Sequence, residues 1–206
     1  MEPEEIQQKR QELDRLRERV RELERELAQQ ETGFWQATNF YAAYYATTGF
    51  MLGGIGALAS LMFNVVGATL FGKHPLQLIR VYLTFPLGEE ALNIDGGLVL
   101  AIGCCLYLAT GMLFGVPFYV LLVRYNQPDS WKRRFTIATF LALGLWIINY
   151  YAILSWLQPW LIGGNWILRE IPIWVAALTH LVYGWTLALL YPLGLYVPYR
   201  PEVSQT

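Results

Sequence analysis

The groups able to do chemistry in this 206-residue chain are few: two histidines, His74 and His180, two adjacent cysteines, Cys104 and Cys105, and a few carboxamides set in apolar runs. His180 is the most conspicuous, because WVAALTHLVYGW (174–185) is otherwise almost wholly apolar. An imidazole there can bond across a helix interface, ligate a metal or haem, or relay a proton. Asn64, Cys104 and Asn149 bring one polar or polarisable group to each of three other apolar runs. Counted from the same end of each run, Asn64, Cys104 and His180 lie roughly nine or ten residues deep, or about 14 Å at the helical rise. Asn149 lies slightly deeper. These four residues are expected to form an intramembrane polar centre.

Three chemistries compete for that centre. Interhelical hydrogen bonding needs only Asn64, Asn149 and His180, and each such bond contributes about 1 kcal/mol in lipid. A metal site would draw on His180, Cys104, Cys105 and His74, a weak set, since zinc or copper wants three or four good ligands. Haem needs a histidine or a similar axial ligand, and the paired histidines of a di-haem bundle are missing. No cofactor is therefore expected, with haem the alternative. A substrate or proton path is the third reading, because intramembrane ionisable groups often mark one. The apolar runs hold no carboxylate, lysine or arginine for coupling.

Other stretches offer less. Glu89, Glu90 and Asp95 in GEEALNID lack the spacing of a calcium loop and read as a solvated acidic connection. FMLGGIGA (50–57) lacks the GK[ST] ending of a phosphate loop. No basic patch is interleaved with aromatics, so nucleic acid is not an expected partner. No catalytic signature emerges, and an enzyme is not expected.

The elements that must hold these residues are membrane helices. Residues 34–72, 96–123, 135–168 and 171–199 contain no Asp, Glu, Lys or Arg. A span needs about 20 apolar residues. Four transmembrane helices are expected near 42–71, 97–122, 136–160 and 172–193, giving an all-α polytopic membrane domain over 34–199 with a tail at 200–206. PLQLIRVYLTF suggests a short helix near 75–85 that lies on the membrane surface or dips into it. Small residues mark the packing faces, because close backbone approach drives helix association in lipid. They include Gly49 and Gly53, Gly111 and Gly115 (both GxxxG), and Gly184.

Residues 1–31 differ in kind, with seven Lys/Arg and ten Asp/Glu. Ile6, Leu13, Val20 and Leu27 repeat every seven residues, with Leu16 and Leu23 at the offset positions. That is a coiled-coil seam. In a parallel, in-register pair the flanking charges meet as Glu5–Arg10, Glu12–Arg17 and Arg19–Glu24, all attractive, and only Glu26–Glu31 repels. Thr32-Gly33 offers a bend before the membrane.

Arg124, Lys132, Arg133 and Arg134 make the 124–134 connection the most basic. The positive-inside rule puts it in the cytoplasm, with both termini on the same side. Trp156, Trp160, Trp166 and Trp174 would then mark the outer interface, and Trp35, Tyr41, Tyr44, Tyr45 and Trp131 the inner one. The expected setting is a membrane of the bacterial inner-membrane kind. The expected function is that of a non-enzymatic scaffold or accessory subunit, partnered by the bilayer and by further copies or other subunits. A small transporter or channel built around the polar centre, or a haem-binding electron-transfer subunit, are the alternatives.

Overall fold

A computed structural model describes residues 3–30 and 41–196 of the chain. The bend at Thr32-Gly33, Trp35, the tail at 200–206 and the side chains of Ile6 and Leu27 fall outside the described residues. Among those described, the secondary structure is helical throughout. Two compact units divide the chain, Met1–Phe40 and Tyr41–Thr206.

The first unit holds α1 (Pro3–Gln30), one uninterrupted helix. Leu13, Leu16, Val20 and Leu23 are all substantially exposed along it. Two intrahelical ion pairs lie on it, Arg17–Asp14 at 3.4 Å and Arg19–Glu22 at 2.9 Å. Both are solvent-exposed and contribute a few tenths of a kcal/mol each.

The second unit is built from α2 (Ala42–Leu70), α3 (Gln77–Leu87), α4 (Leu98–Tyr125), α5 (Trp131–Ile147), α6 (Leu157–Ile162), α7 (Trp166–Glu170) and α8 (Ile173–Leu190). A 3₁₀ turn follows α3 at Gly88–Asn93, a π-helical segment follows α5 at Ile148–Leu154, and a 3₁₀ turn, Tyr191–Gly194, closes α8. Three helical stretches, Ala42–Leu70, Leu98–Tyr125 and Ile173–Gly194, are long and apolar enough to cross a bilayer. Their limits lie within three residues of those expected for the first, second and fourth runs. The third run is divided among α5, the π-helical segment and α6.

Packing follows the small residues. α2 and α4 make the most extensive contact. A Cβ on Gly49 would stand 2.5 Å from the Gly115 carbonyl oxygen, and one on Gly53 would stand 2.5 Å from that of Gly111. The two backbones therefore touch. The other side of α2 meets α8, where Tyr183 and Leu187 lie over Gly56. α8 in turn packs on α5, with Gly184 against Ala138 and Ala142. The long helices run in space as α4, α2, α8, α5. α4 and α5 follow one another in sequence but touch little.

α3 is integral to this bundle and does not lie on its surface. Ile79 and Val81 are fully buried, and Ile79, Leu83, Leu61, Ala91 and Leu100 form a cluster. A Cβ on Gly103 of α4 would meet Ile79 and Leu83. The helix starts at Gln77, two residues past Pro75, because the Leu76 N–H donates to His74 Nδ1 at 3.1 Å in the turn before it. Arg80 leaves α3 to donate to the Ile94 carbonyl at 2.6 Å and to Asp95 at 2.5 Å. That pins one end of the acidic connection, while Glu89 and Glu90 stay exposed.

Gln158 ties α6 to α3 and α7. It is fully buried; its Nε2 donates to Thr84 Oγ1 at 2.9 Å and its Oε1 accepts from the Ile167 N–H at 3.3 Å. Gln158→Leu keeps the volume but leaves a buried N–H without an acceptor, which costs about 1–3 kcal/mol. Hydrogen exchange on the detergent-solubilised protein should show faster exchange at Ile167, with α2 and α4 unaffected.

Candidate functional site

α8 presents two polar residues in succession, and consecutive residues on a helix point about 100° apart. Thr179 turns to α2 and His180 to the π-helical segment that follows α5. Thr179 Oγ1 donates to the Val175 carbonyl at 2.8 Å and accepts from Asn64 Nδ2 at 2.9 Å. Asn64 Nδ2 also donates to the Ser60 carbonyl at 2.8 Å. Ser60 Oγ lies 3.0 Å from the Gly56 carbonyl and 3.1 Å from that of Thr179, either of which accepts its proton. This seam is buried between α2 and α8, and its Ser60 and Thr179 also line the cavity beside His180.

His180 belongs to a second pair. Its Nδ1 lies 2.8 Å from the Ala176 carbonyl and its Nε2 lies 3.3 Å from Asn149 Nδ2. A carbonyl only accepts, so the bond network assigns the proton to Nδ1. Nε2 then accepts from the Asn149 amide. The Asn149 carboxamide oxygen and its second N–H make no hydrogen bond within the described residues.

Asn149 reaches His180 from the π-helical segment. Such segments insert an extra residue per turn and frequently mark functional sites. The same turn directs Tyr150 away, and its hydroxyl lies 3.2 Å from the Ile171 carbonyl and 3.4 Å from that of Leu168. The widened turn thus supplies a polar group to α8 and an anchor to the connection before it.

Beside the Asn149–His180 pair lies a cavity of about 490 Å³. Its lining is drawn from α2, α3, α4, the end of α5, the π-helical segment, α7 and α8. Six aromatic rings line it: Tyr82, Phe85, Tyr107, Phe114, Tyr150 and Tyr183. Tyr82 bonds across to Thr110 at 2.6 Å, and Tyr183 donates to the Gly111 carbonyl at 2.7 Å. No Asp, Glu, Lys or Arg is among the lining residues described.

The four expected members of the polar centre are thus distributed over three places. Asn149 and His180 pair at the cavity. Asn64 bonds to Thr179, the residue before His180 on α8. Cys104 packs against the cluster around Leu61, Ile79 and Leu83, and Cys105 is exposed; both are free thiols. The placement of Cys104 corrects the expectation of a single centre. α4 has two packed faces, one on α2 and one on α3, and equal depth carries no information about which face a residue occupies. His74 sits at the turn before α3. Among the described residues, no three His, Cys, Asp or Glu side chains gather where they could hold a metal ion.

Thr179, Tyr82, Tyr107, Thr110 and Tyr183 were not singled out from the sequence. Thr179 carried a signal, since it directly precedes His180 and shares α8 with the small-residue stripe. Tyr82 carried none, because its role depends on α3 folding into the bundle. With known protein families, curated proteins and solved structures alike, the chain shows no match.

Proposed function

We propose that this chain is a non-enzymatic integral membrane scaffold or accessory subunit that self-associates through α1 as a parallel two-stranded coiled coil. One observation carries the reading: the heptad residues Leu13, Leu16, Val20 and Leu23 stay 43–58% exposed on a continuous helix. Four large apolar side chains in register along one stripe are a seam without its partner. The occupant argued for is a second copy. The charges flanking the seam are self-complementary in parallel register, at Glu5–Arg10, Glu12–Arg17 and Arg19–Glu24. Two copies in one membrane also present α1 on the same side, which makes the pair parallel.

The membrane arrangement completes the proposal. α5, the π-helical segment and α6 together make the fourth span, because residues 135–168 carry no charge. The basic 124–134 connection and both termini then face the cytoplasm. In this arrangement the Gly49, Gly53, Gly111, Gly115 and Gly184 faces are occupied inside the chain, so assembly rests on α1.

Crosslinking in intact membranes and native electrophoresis test this. The wild-type chain is expected to run as a dimer, and Leu16→Asp with Leu23→Asp as a monomer whose thermal stability is unchanged. A strictly monomeric wild type overturns the proposal. So does a complex made only with a different chain, as regards the self-pair. An optical spectrum of the same preparation tests the haem alternative, which a Soret band would support.

A further inference from the structure

The cavity beside His180 has the features of a site for a ligand taken from the bilayer. Its volume of about 490 Å³ falls in the range of small-molecule pockets, roughly 300–1,000 Å³. Its walls are apolar and aromatic, and no charged side chain is among the described lining residues, which disfavours an ion or a charged metabolite. It lies where α4 and α5 fail to close on each other, with Leu106 of its lining 45% exposed. In a chain whose surrounding helices cross a membrane, that opening meets hydrocarbon.

Most polar groups around the cavity are already paired. Tyr82 is held by Thr110, Tyr183 by the Gly111 carbonyl, and Tyr150 by the chain before α8. Asn149 has bonding capacity left over. It spends one N–H on His180 Nε2 and keeps a carbonyl oxygen and a second N–H without partners among the described residues. His180 fixes the rotamer, because its single ring proton is committed to the Ala176 carbonyl and Nε2 can only accept. The carboxamide is thus a pre-oriented donor and acceptor at the edge of an aromatic box.

We propose that this cavity binds an uncharged, lipid-soluble ring compound bearing a carbonyl or hydroxyl oxygen, a quinone or a phenol in chemical class, with Asn149 meeting the oxygen and His180 positioning Asn149. The aromatic rings supply flat contact surface for the ring. A carbonyl accepts the free Asn149 N–H, and a hydroxyl donates to its oxygen. The site is formed within one chain, so the proposal holds whether or not α1 self-associates.

The test uses the full-length chain in lipid nanodiscs with decylubiquinone as probe, following quenching of intrinsic tryptophan fluorescence against empty nanodiscs. Saturable quenching is expected above the linear partitioning background. Asn149→Leu should weaken the saturable phase about fivefold, the worth of one hydrogen bond in lipid. Leu106→Trp, which fills the mouth from an exposed position, should abolish competition by duroquinone for a photoreactive quinone crosslinked to α4. Leu113→Ala, at an exposed position outside the lining, should leave both readouts unchanged. Quenching that is only linear, or equal in wild type and both cavity variants, overturns the proposal. So does equal competition by 1-decanol, which would make the cavity a groove for alkyl chains. Dimerisation scored on the same samples separates failure here from failure of the α1 pairing.

Discussion

Gly115→Ala is expected to destabilise the membrane unit by about 2–3 kcal/mol, and Gly115→Val to prevent its assembly. Gly115 packs against Gly49 and Gly53, and a Cβ there would meet the Gly49 carbonyl oxygen and stand 2.7 Å from the Gly53 Cα. Those atoms are backbone. They cannot rotate aside as a flexible side chain would, so α2 and α4 must separate, and the seam from Gly49 to Ala57 opens with them. Overpacking of a tight core costs about 1–3 kcal/mol, and a backbone-to-backbone contact stands at the upper end. Lipid offers no hydrophobic compensation for a looser fit. Steric trapping or reversible unfolding in mixed micelles measures the change. Gly144→Ala is the matched control: nothing lies within 4 Å of its Cβ position, and relief of the helical glycine penalty should stabilise by up to about 1 kcal/mol. Equal losses at Gly115 and Gly144 would show that close packing is not what holds α2 to α4.

The glycine interface also shows which parts of the fold were legible in the sequence. Helices α2 and α4 declare their limits because charge ends each run, at Lys73 and Arg124. The packing of Gly49 and Gly53 on Gly111 and Gly115 could be anticipated because membrane helices approach where side chains are smallest. Less legible was anything that depends on azimuth or on a break in helical register. Cys104 shares its depth with His180 but packs against the apolar cluster of Leu61, Ile79 and Leu83. Thr179 and His180 are neighbours in sequence but bond to different elements, Thr179 to Asn64 of α2 and His180 to Asn149 of the π-helical segment. The π-helical turn at Ile148–Leu154 leaves no mark in the residue spacing, because INYYAIL is as compatible with an α-helix. Its geometry is set by what Asn149 and Tyr150 bond to, which lies on other elements. Asn149 and His180 could be brought together from the sequence, but the rest of the lining, above all Tyr82 and Phe85 of α3, depends on that widened turn and on α3 folding in, which periodicity does not mark.

Asp129→Ala should destabilise the opposite end of the bundle by about 2–3 kcal/mol, although the Asp129 side chain is itself 41% exposed. Its importance lies in what it neutralises. Arg134 of α5 is 8% exposed, and its Nη2 lies 3.3 Å from Asp129 Oδ1. Nη1 donates to the Ala188 carbonyl at 3.3 Å, and the guanidinium carbon stands 4.7 Å from the centre of the Tyr191 ring. Asp129 also accepts from Asn126 Nδ2 at 2.7 Å, so one carboxylate holds the end of α4 and the start of α5 together. Removing it leaves a buried cation with a carbonyl and an aromatic face. Breaking a buried pair from one side costs about 3–5 kcal/mol, and the partial exposure of Asp129 lets water reach the guanidinium and lowers that figure. Arg134→Met should be milder, because Asp129 can hydrate freely and the methionine fills the space over Tyr191. Combining Asp129→Ala with Arg134→Met should therefore recover most of what Asp129→Ala loses. Urea or heat denaturation of the four proteins of this cycle gives the coupling directly. Strict additivity would mean that the pair is incidental and that the arginine is held by Ala188 and the rings of Tyr191 and Trp131. A positive coupling of 1 kcal/mol or more would make Arg134 a structural charge whose neutralisation is built into the turn that precedes its helix.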